Sequence, residues 1–182
     1  MISFDKKSDP ILDWNQITIE VVRAGGDIGP GFPSRNMAIV HAAIFDTVNA
    51  IKPTAESYLY HQEAPRSTNL ELAVTGAAYT SLVALYPAQK NLIMEKLLRE
   101  LSQAKGGPFK NNPNKILSDS SFGFGEKVAA VILASRQNDG SNIEIPYNPP
   151  PNPGVWLPTL PDFTPALGTD SFYLPEKFLK MR

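Results

Sequence analysis

The 182-residue sequence contains no cysteine. That excludes a disulfide scaffold, a thiolate zinc site, an iron–sulfur cluster and a cysteine nucleophile, and leaves the redox compartment open. It contains only two histidines, His41 and His61. They lie in different segments, and a histidine-based metal site would need both together with carboxylates. Charge of either sign is not in excess: Lys plus Arg is 17, Asp plus Glu is 18, and the net charge is -1. A nucleic-acid binder ordinarily carries a basic surplus or stripe, so no nucleic-acid partner is expected. Nothing draws the chain to an anionic membrane surface either. No stretch approaches the roughly 18 consecutive apolar residues of a membrane span. The opening residues Met1 to Pro10 are polar and charged, without the apolar core of a signal peptide. The expectation is a soluble chain whose compartment is unspecified. No convincing strand pair and no fixed-period repeat is present.

What is present is enough for a core. Hydrophobic residues make up 42% of the chain, too many for a disordered polymer, and the length suits one domain with a tail. The pattern is helical. Asp9 is a candidate cap and Pro10 suits a first helical position. Ile11, Trp14, Ile17 and Val21 then follow at helical spacing, with Gly25-Gly26 as the stop and a Gly/Pro-rich connection to Pro33. Ser34 reads as the N-cap of a second helix. Its stripe is Met37, Val40, His41, Ile44, Val48 and Ile51, with Ala38, Ala42 and Ala43 permitting close approach. Lys52-Pro53 ends it. Tyr58, Tyr60 and His61 fall in the following connection.

Thr68-Asn69-Leu70-Glu71 fits a capping box. The helix behind it points Leu72, Gly76, Tyr79, Val83 and Tyr86 inward and stops at Pro87. A fourth starts near Ala88, with Ile93, Leu97 and Leu101 inside and Lys90, Glu95, Lys96, Arg99 and Glu100 outside; Gly106-Gly107-Pro108 closes it. Asn111 to Asn114 reads as a loop. Ser118 to about Gln137 is the fifth helix, with Phe124, Val128, Val131 and Ile132 inward and Asn138-Asp139-Gly140 as its terminator. Nine of the 17 prolines lie beyond Gly140, interleaved with Trp156, Phe163, Phe172 and Tyr173. Regular structure is not expected there, and the rings favour packing over a helical surface. The fold class is therefore all-α: an irregular bundle of about five helices over residues 1–140, with a Pro-rich, largely non-regular C-terminal extension over 141–182.

Gly123-Phe124-Gly125-Glu126-Lys127 lacks the spacing and the preceding strand of a phosphate loop, so its glycines read as close-packing positions in a helix. Asp13/Glu20 and Asp46/Glu56 show no paired arrangement for glycoside chemistry; a buried Asp46 is instead a candidate cap or bridge. The Pro-rich segment has no PxxP flanked by arginine.

An opening stretch and four blocks carry a family resemblance. Asp9 to Asn15 resembles an opening found in bacterial vanadium-dependent haloperoxidases. Ser34 to Ile51 resembles the most recognisable block of their N-terminal half. Ala84 to Gln89 and Arg136 to Gly140 are similar to a second and a third block. Gly154 to Thr159, with Pro165-Ala166-Leu167, is similar to a fourth. The blocks occur in the family's order. The resemblance implies a fold shared with the type 2 phosphatidic acid phosphatases and vanadate as the cofactor of the full-length proteins.

That chemistry belongs to motifs that hold an oxyanion in a cage of cations and N–H donors. They are a Lys with Arg-Pro following, a Pro-Ser-Gly-His, and a Ser-Arg with a later His. None of the 182 residues reads Arg-Pro or Pro-Ser-Gly-His. Ser34, Arg35 and His41 have the spacing of the third motif, with Asp46 one position late. They are the candidate catalytic residues; the other reading makes them a cap, a first-turn arginine and a core histidine. Helix geometry sets Arg35 and His41 about 120° apart and about 9 Å along the axis. The resemblance thus implies the N-terminal helical half of a haloperoxidase-like protein, without its catalytic half and with no cofactor or metal held by this chain. The alternatives are a helical interaction module and a phosphatase relative built on Arg35 and His41. The implied partners are a second copy or a separate catalytic half, since a half-bundle leaves apolar surface uncovered.

Overall fold

The computed structural model describes residues 9–26, 31–103, 113–141 and 153. Among them the chain is helical: α1 (Pro10–Gly25), α2 (Gly31–Ile51), α3 (Leu70–Leu85), α4 (Lys90–Gln103) and α5 (Ser120–Arg136), with short 3-10 turns at Pro87–Gln89 and Pro113–Ser118. There is no strand among the described residues, and no described helix is long and apolar enough to cross a membrane. The Gly106-Gly107-Pro108 terminator, the fourth sequence block and nearly all of the Pro-rich extension lie outside the described residues.

The helix ends follow from capping chemistry. The Asp9 carboxylate accepts from the Ile11 N–H at 2.9 Å, and Gly26 closes α1 at φ 72°, a left-handed conformation that glycine takes without penalty. The second helix starts at Gly31, not after Ser34. A proline is tolerated in a first turn because the N–H it lacks has no intrahelical acceptor there, so Pro33 does not delay the start and Ser34 is a first-turn residue rather than a cap. The third helix is capped by Asn69, whose Oδ1 accepts from the Leu72 N–H at 3.0 Å, not by Thr68 through a capping box. The fifth helix starts at Ser120 rather than Ser118, and Asp119 caps it, accepting from the Ser121 N–H at 2.7 Å. Pro113 and Asn114, expected in a loop, begin the 3-10 turn that carries Ile116 into the core, fully buried.

The core is built around α3. Every residue from Ala73 to Tyr79 is buried. A helix apolar all round is one enclosed on all sides, and α1, α2, α4 and α5 each pack against α3. Small residues make this possible. A side chain added at Gly76 would meet the Phe122 carbonyl oxygen at 2.1 Å, and one at Gly125 the Ala73 carbonyl oxygen at 1.9 Å. The two helices therefore touch backbone to backbone, as expected for glycines at a close crossing. Trp14, Ile17 and Val21 of α1, Ile93 and Leu97 of α4, and Phe122 of α5 fill the main cluster. Two inward expectations are corrected: Ile11 and Val131 are exposed. Ile11 lies in the first turn, at the end of the bundle. Val131 precedes Ile132 by one position and so faces about 100° away from it.

Candidate functional site

A groove of about 710 Å³ lies between α2 and the end of α5. Ile39, Ala42 and Ile132 supply apolar wall; Phe45 and Tyr58, both substantially exposed, stand on it. All three sequence candidates, Ser34, Arg35 and His41, line it, together with Arg136 and Asp139. The groove thus gathers the residues of the partial motif, but the hydrogen bonds send them to different partners.

The Arg35 guanidinium is held on every nitrogen by protein. Nε donates to Asp139 Oδ2 at 2.8 Å, Nη1 to Asn36 Oδ1 at 3.1 Å, and Nη2 to the Arg136 carbonyl at 3.1 Å. Both members of the Arg35–Asp139 ion pair are largely buried, with side chains 14% and 3% exposed. Burial alone would raise the Asp139 pKa; the bonds from Arg35 and from Ser141 outweigh it and hold the carboxyl below its ordinary value. Asn36 continues the network, its Nδ2 donating to the Tyr86 hydroxyl at 2.9 Å. One polar chain therefore runs from the end of α5 through α2 to the end of α3. A charge-assisted, buried network of this kind fixes the relative positions of three helices.

His41 takes no part in that chain of bonds. Its Nε2 pairs with Asn15 Oδ1 of α1 at 3.0 Å. The second histidine, His61, is exposed, and its Nδ1 stands 2.6 Å from Ser57 Oγ. No group of three or more His, Asp or Glu able to hold a metal occurs among the described residues.

The rim at Tyr58 is set by Asp46. Its buried carboxylate accepts three successive backbone N–H groups, from Tyr58, Leu59 and Tyr60, at 2.7–2.8 Å. Asn49 fixes the start of the same connection, accepting from Thr54 and Ala55 N–H and donating to the Ala55 carbonyl. The expected cap or bridge at Asp46 is thus a clamp on a loop. It presents the Tyr58 ring and hydroxyl to Arg136, whose guanidinium lies 5.8 Å from the ring centroid and donates to the hydroxyl. Outside the groove, burial pushes the Glu126 and Glu100 carboxyls up; neither lines the concavity.

Sequence reasoning placed Ser34, Arg35 and His41 as candidates and missed Phe45, Tyr58, Arg136 and Asp139 as their neighbours. A signal did exist: Arg35 and Asn36, Tyr86, and Arg136 with Asp139 stand in three different family-like blocks, and the structure joins those blocks through these side chains. The opening block is joined to the Ser34–Ile51 block through Asn15 Oδ1 and His41 Nε2, 3.0 Å apart.

Neither curated proteins nor solved structures return a match to this chain. A protein-family comparison does: residues 5–153 match the vanadium chloroperoxidase N-terminal domain. The match covers most of the sequence and includes every described helix, and the chain therefore belongs to the vanadium chloroperoxidase N-terminal domain family.

Proposed function

We propose that this domain is the scaffold half of a vanadium chloroperoxidase-type protein and does not bind vanadate, oxidise halide or hydrolyse phosphate esters by itself. A tetrahedral oxyanion requires several cations and N–H donors converging on one point. The observation that carries the reading is the state of Arg35: each of its nitrogens donates to a protein acceptor, and one of those acceptors is a carboxylate. An anion arriving there would have to displace Asp139 and strand a buried charge, at a cost of about 3–5 kcal/mol. His41 is turned to Asn15, so the cation and the would-be nucleophile are not aimed at a common point. The described residues do not fit vanadate. The family's Arg-Pro and Pro-Ser-Gly-His sequences are also missing from the 182 residues, which supports placing the chemistry outside this domain.

The same reading gives the family-like blocks a physical meaning. Four of their polar residues, Arg35, Asn36, Tyr86 and Asp139, cross-link the bundle, and replacing any one of them would deprive a neighbour of a hydrogen-bond partner. The test is turnover by the purified chain with orthovanadate, hydrogen peroxide and bromide, run beside hydrolysis of p-nitrophenyl phosphate. The expected result is background rate in both assays. Turnover abolished by Arg35→Ala or His41→Gln would contradict the proposal and restore the phosphatase-like reading of those residues.

A further inference from the structure

We propose that Asp139-Gly140 is a latent modification site, a step of the chain primed to isomerise to isoaspartate and locked against it by Arg35. Three observations converge. The first is the sequence. A carboxyl side chain condenses most readily with the next backbone nitrogen when glycine follows, because glycine puts no Cβ beside the attacking atom. Asp139-Gly140 is the one Asp-Gly step in the 182 residues, and no Asn-Gly step occurs.

The second is local geometry. The Ser141 N–H donates to Asp139 Oδ1 at 3.0 Å, the turn in which an aspartate side chain folds back over its own backbone. Gly140 lies inside that turn at φ 85°. The turn therefore folds the carboxyl carbon toward the peptide that carries the attacking nitrogen. Reaction joins the Gly140 nitrogen to Asp139 Cγ and expels one carboxyl oxygen as water, with one proton from the nitrogen and one from the carboxyl O–H. Water then opens the five-membered ring at either carbonyl, which restores aspartate or leaves isoaspartate. Water lost is water regained, so the net change is an isomerisation that needs no oxidant or reductant.

The third is the lock. Arg35 Nε donates to Asp139 Oδ2 at 2.8 Å, so each carboxyl oxygen is held by a different donor. The Asp139 side chain is 3% exposed. Turning Cγ onto the nitrogen would break a charge-assisted bond. The same bonds hold the carboxyl below its ordinary pKa, which keeps scarce the protonated form that loses water. Ring formation therefore waits on release of Arg35 in a local opening at the end of α5. Isoaspartate routes the backbone through the former side chain and moves the carboxylate to a new branch, so the tie between α2 and the end of α5 would not re-form in the product.

The experiment incubates the full chain at body temperature in mildly acidic buffer. Isoaspartate is counted by methyl transfer from labelled S-adenosylmethionine with an isoaspartyl methyltransferase, and located by mass spectrometry in the tryptic peptide 137–177. The folded wild type should accumulate it severalfold more slowly than the urea-unfolded wild type. Arg35→Ala and Arg35→Lys, each checked for native helix content, should both accelerate it severalfold; where the alanine variant does not fold, the lysine variant, which keeps the charge and loses the fork, carries the test. Adding Asp139→Glu to Arg35→Lys should abolish the signal, since glutamate cannot close the five-membered ring. Gly125→Ala, which strains the α3–α5 crossing instead, should react at the wild-type rate. Folded wild type reacting as fast as unfolded would overturn the proposal, as would folded Arg35 variants as slow as the wild type. Equal acceleration in Gly125→Ala would assign the protection to global folding, and the lock at Arg35 would fall.

Discussion

Alanine at Gly125 should destabilise the protein, whereas alanine at Gly123, two residues earlier in the same helix, should stabilise it. The difference comes from what a Cβ would meet. At Gly125 it would stand 1.9 Å from the Ala73 carbonyl oxygen and 2.7 Å from the Ala77 nitrogen. Both are helix backbone atoms and cannot rotate aside. Real Cβ atoms essentially never approach closer than 3.0 Å, so α3 and α5 would have to part by about 1.1 Å, the difference between 3.0 and 1.9. Overpacking of this kind costs about 1–3 kcal/mol, and two rigid helices meeting at backbone atoms belong at the upper end. Against it stands a gain of about 1 kcal/mol in helix propensity. The net expectation for Gly125→Ala is about 2 kcal/mol of destabilisation, a melting temperature lower by about 4–8 °C on the usual scale for a chain of this size. At Gly123 nothing lies within 4 Å of the added methyl, so only the propensity gain remains, up to about 1 kcal/mol. Urea unfolding followed by far-UV circular dichroism measures both. Equal stability of the two variants would refute the close crossing of α3 and α5.

Three further outcomes follow from the polar network. Asp139→Asn should cost about 2 kcal/mol at neutral pH by removing a charged partner from Arg35. Because the folded pKa of Asp139 is depressed, its contribution is present above the ordinary aspartate range and is lost as pH falls through the folded value; a pH series of melting temperatures should therefore show a shallower acid limb in Asp139→Asn than in the wild type. Asp46→Asn leaves one acceptor oxygen for three N–H groups, at about 1–3 kcal/mol for each orphaned donor; limited proteolysis should then cut between 54 and 62 at an increased rate. Tyr86→Phe removes the acceptor of Asn36 but keeps the ring packed on Gly25, so a loss of about 1 kcal/mol in chemical denaturation, with unchanged helix content, is expected.

The sequence made the amphipathic helices legible because their buried stripes recur at helical spacing: Trp14, Ile17 and Val21 in α1, and Ile93, Leu97 and Leu101 in α4. It made α3 legible as a helix but not as the centre: one inward face of Leu72, Gly76, Tyr79, Val83 and Tyr86 is readable, whereas every residue from Ala73 to Tyr79 is buried. The start of α2 was hidden because proline is compatible with both a preceding loop and a first turn. At the groove, Ser34, Arg35 and His41 could be singled out by spacing, but what engages them could not. Arg35 finds Asp139 104 positions away and His41 finds Asn15 on another helix, and no local pattern encodes such pairings. The run Asn138-Asp139-Gly140 signals only a turn in the sequence, which conceals the second use of the Asp139 carboxylate as the acceptor for Arg35.

Calorimetric titration of orthovanadate into the chain tests most directly whether Arg35 is a structural bolt or an anion contact. The account predicts heats no larger than dilution, in the wild type and in Arg35→Ala alike. A saturable isotherm in the wild type that vanishes in Arg35→Ala would contradict it.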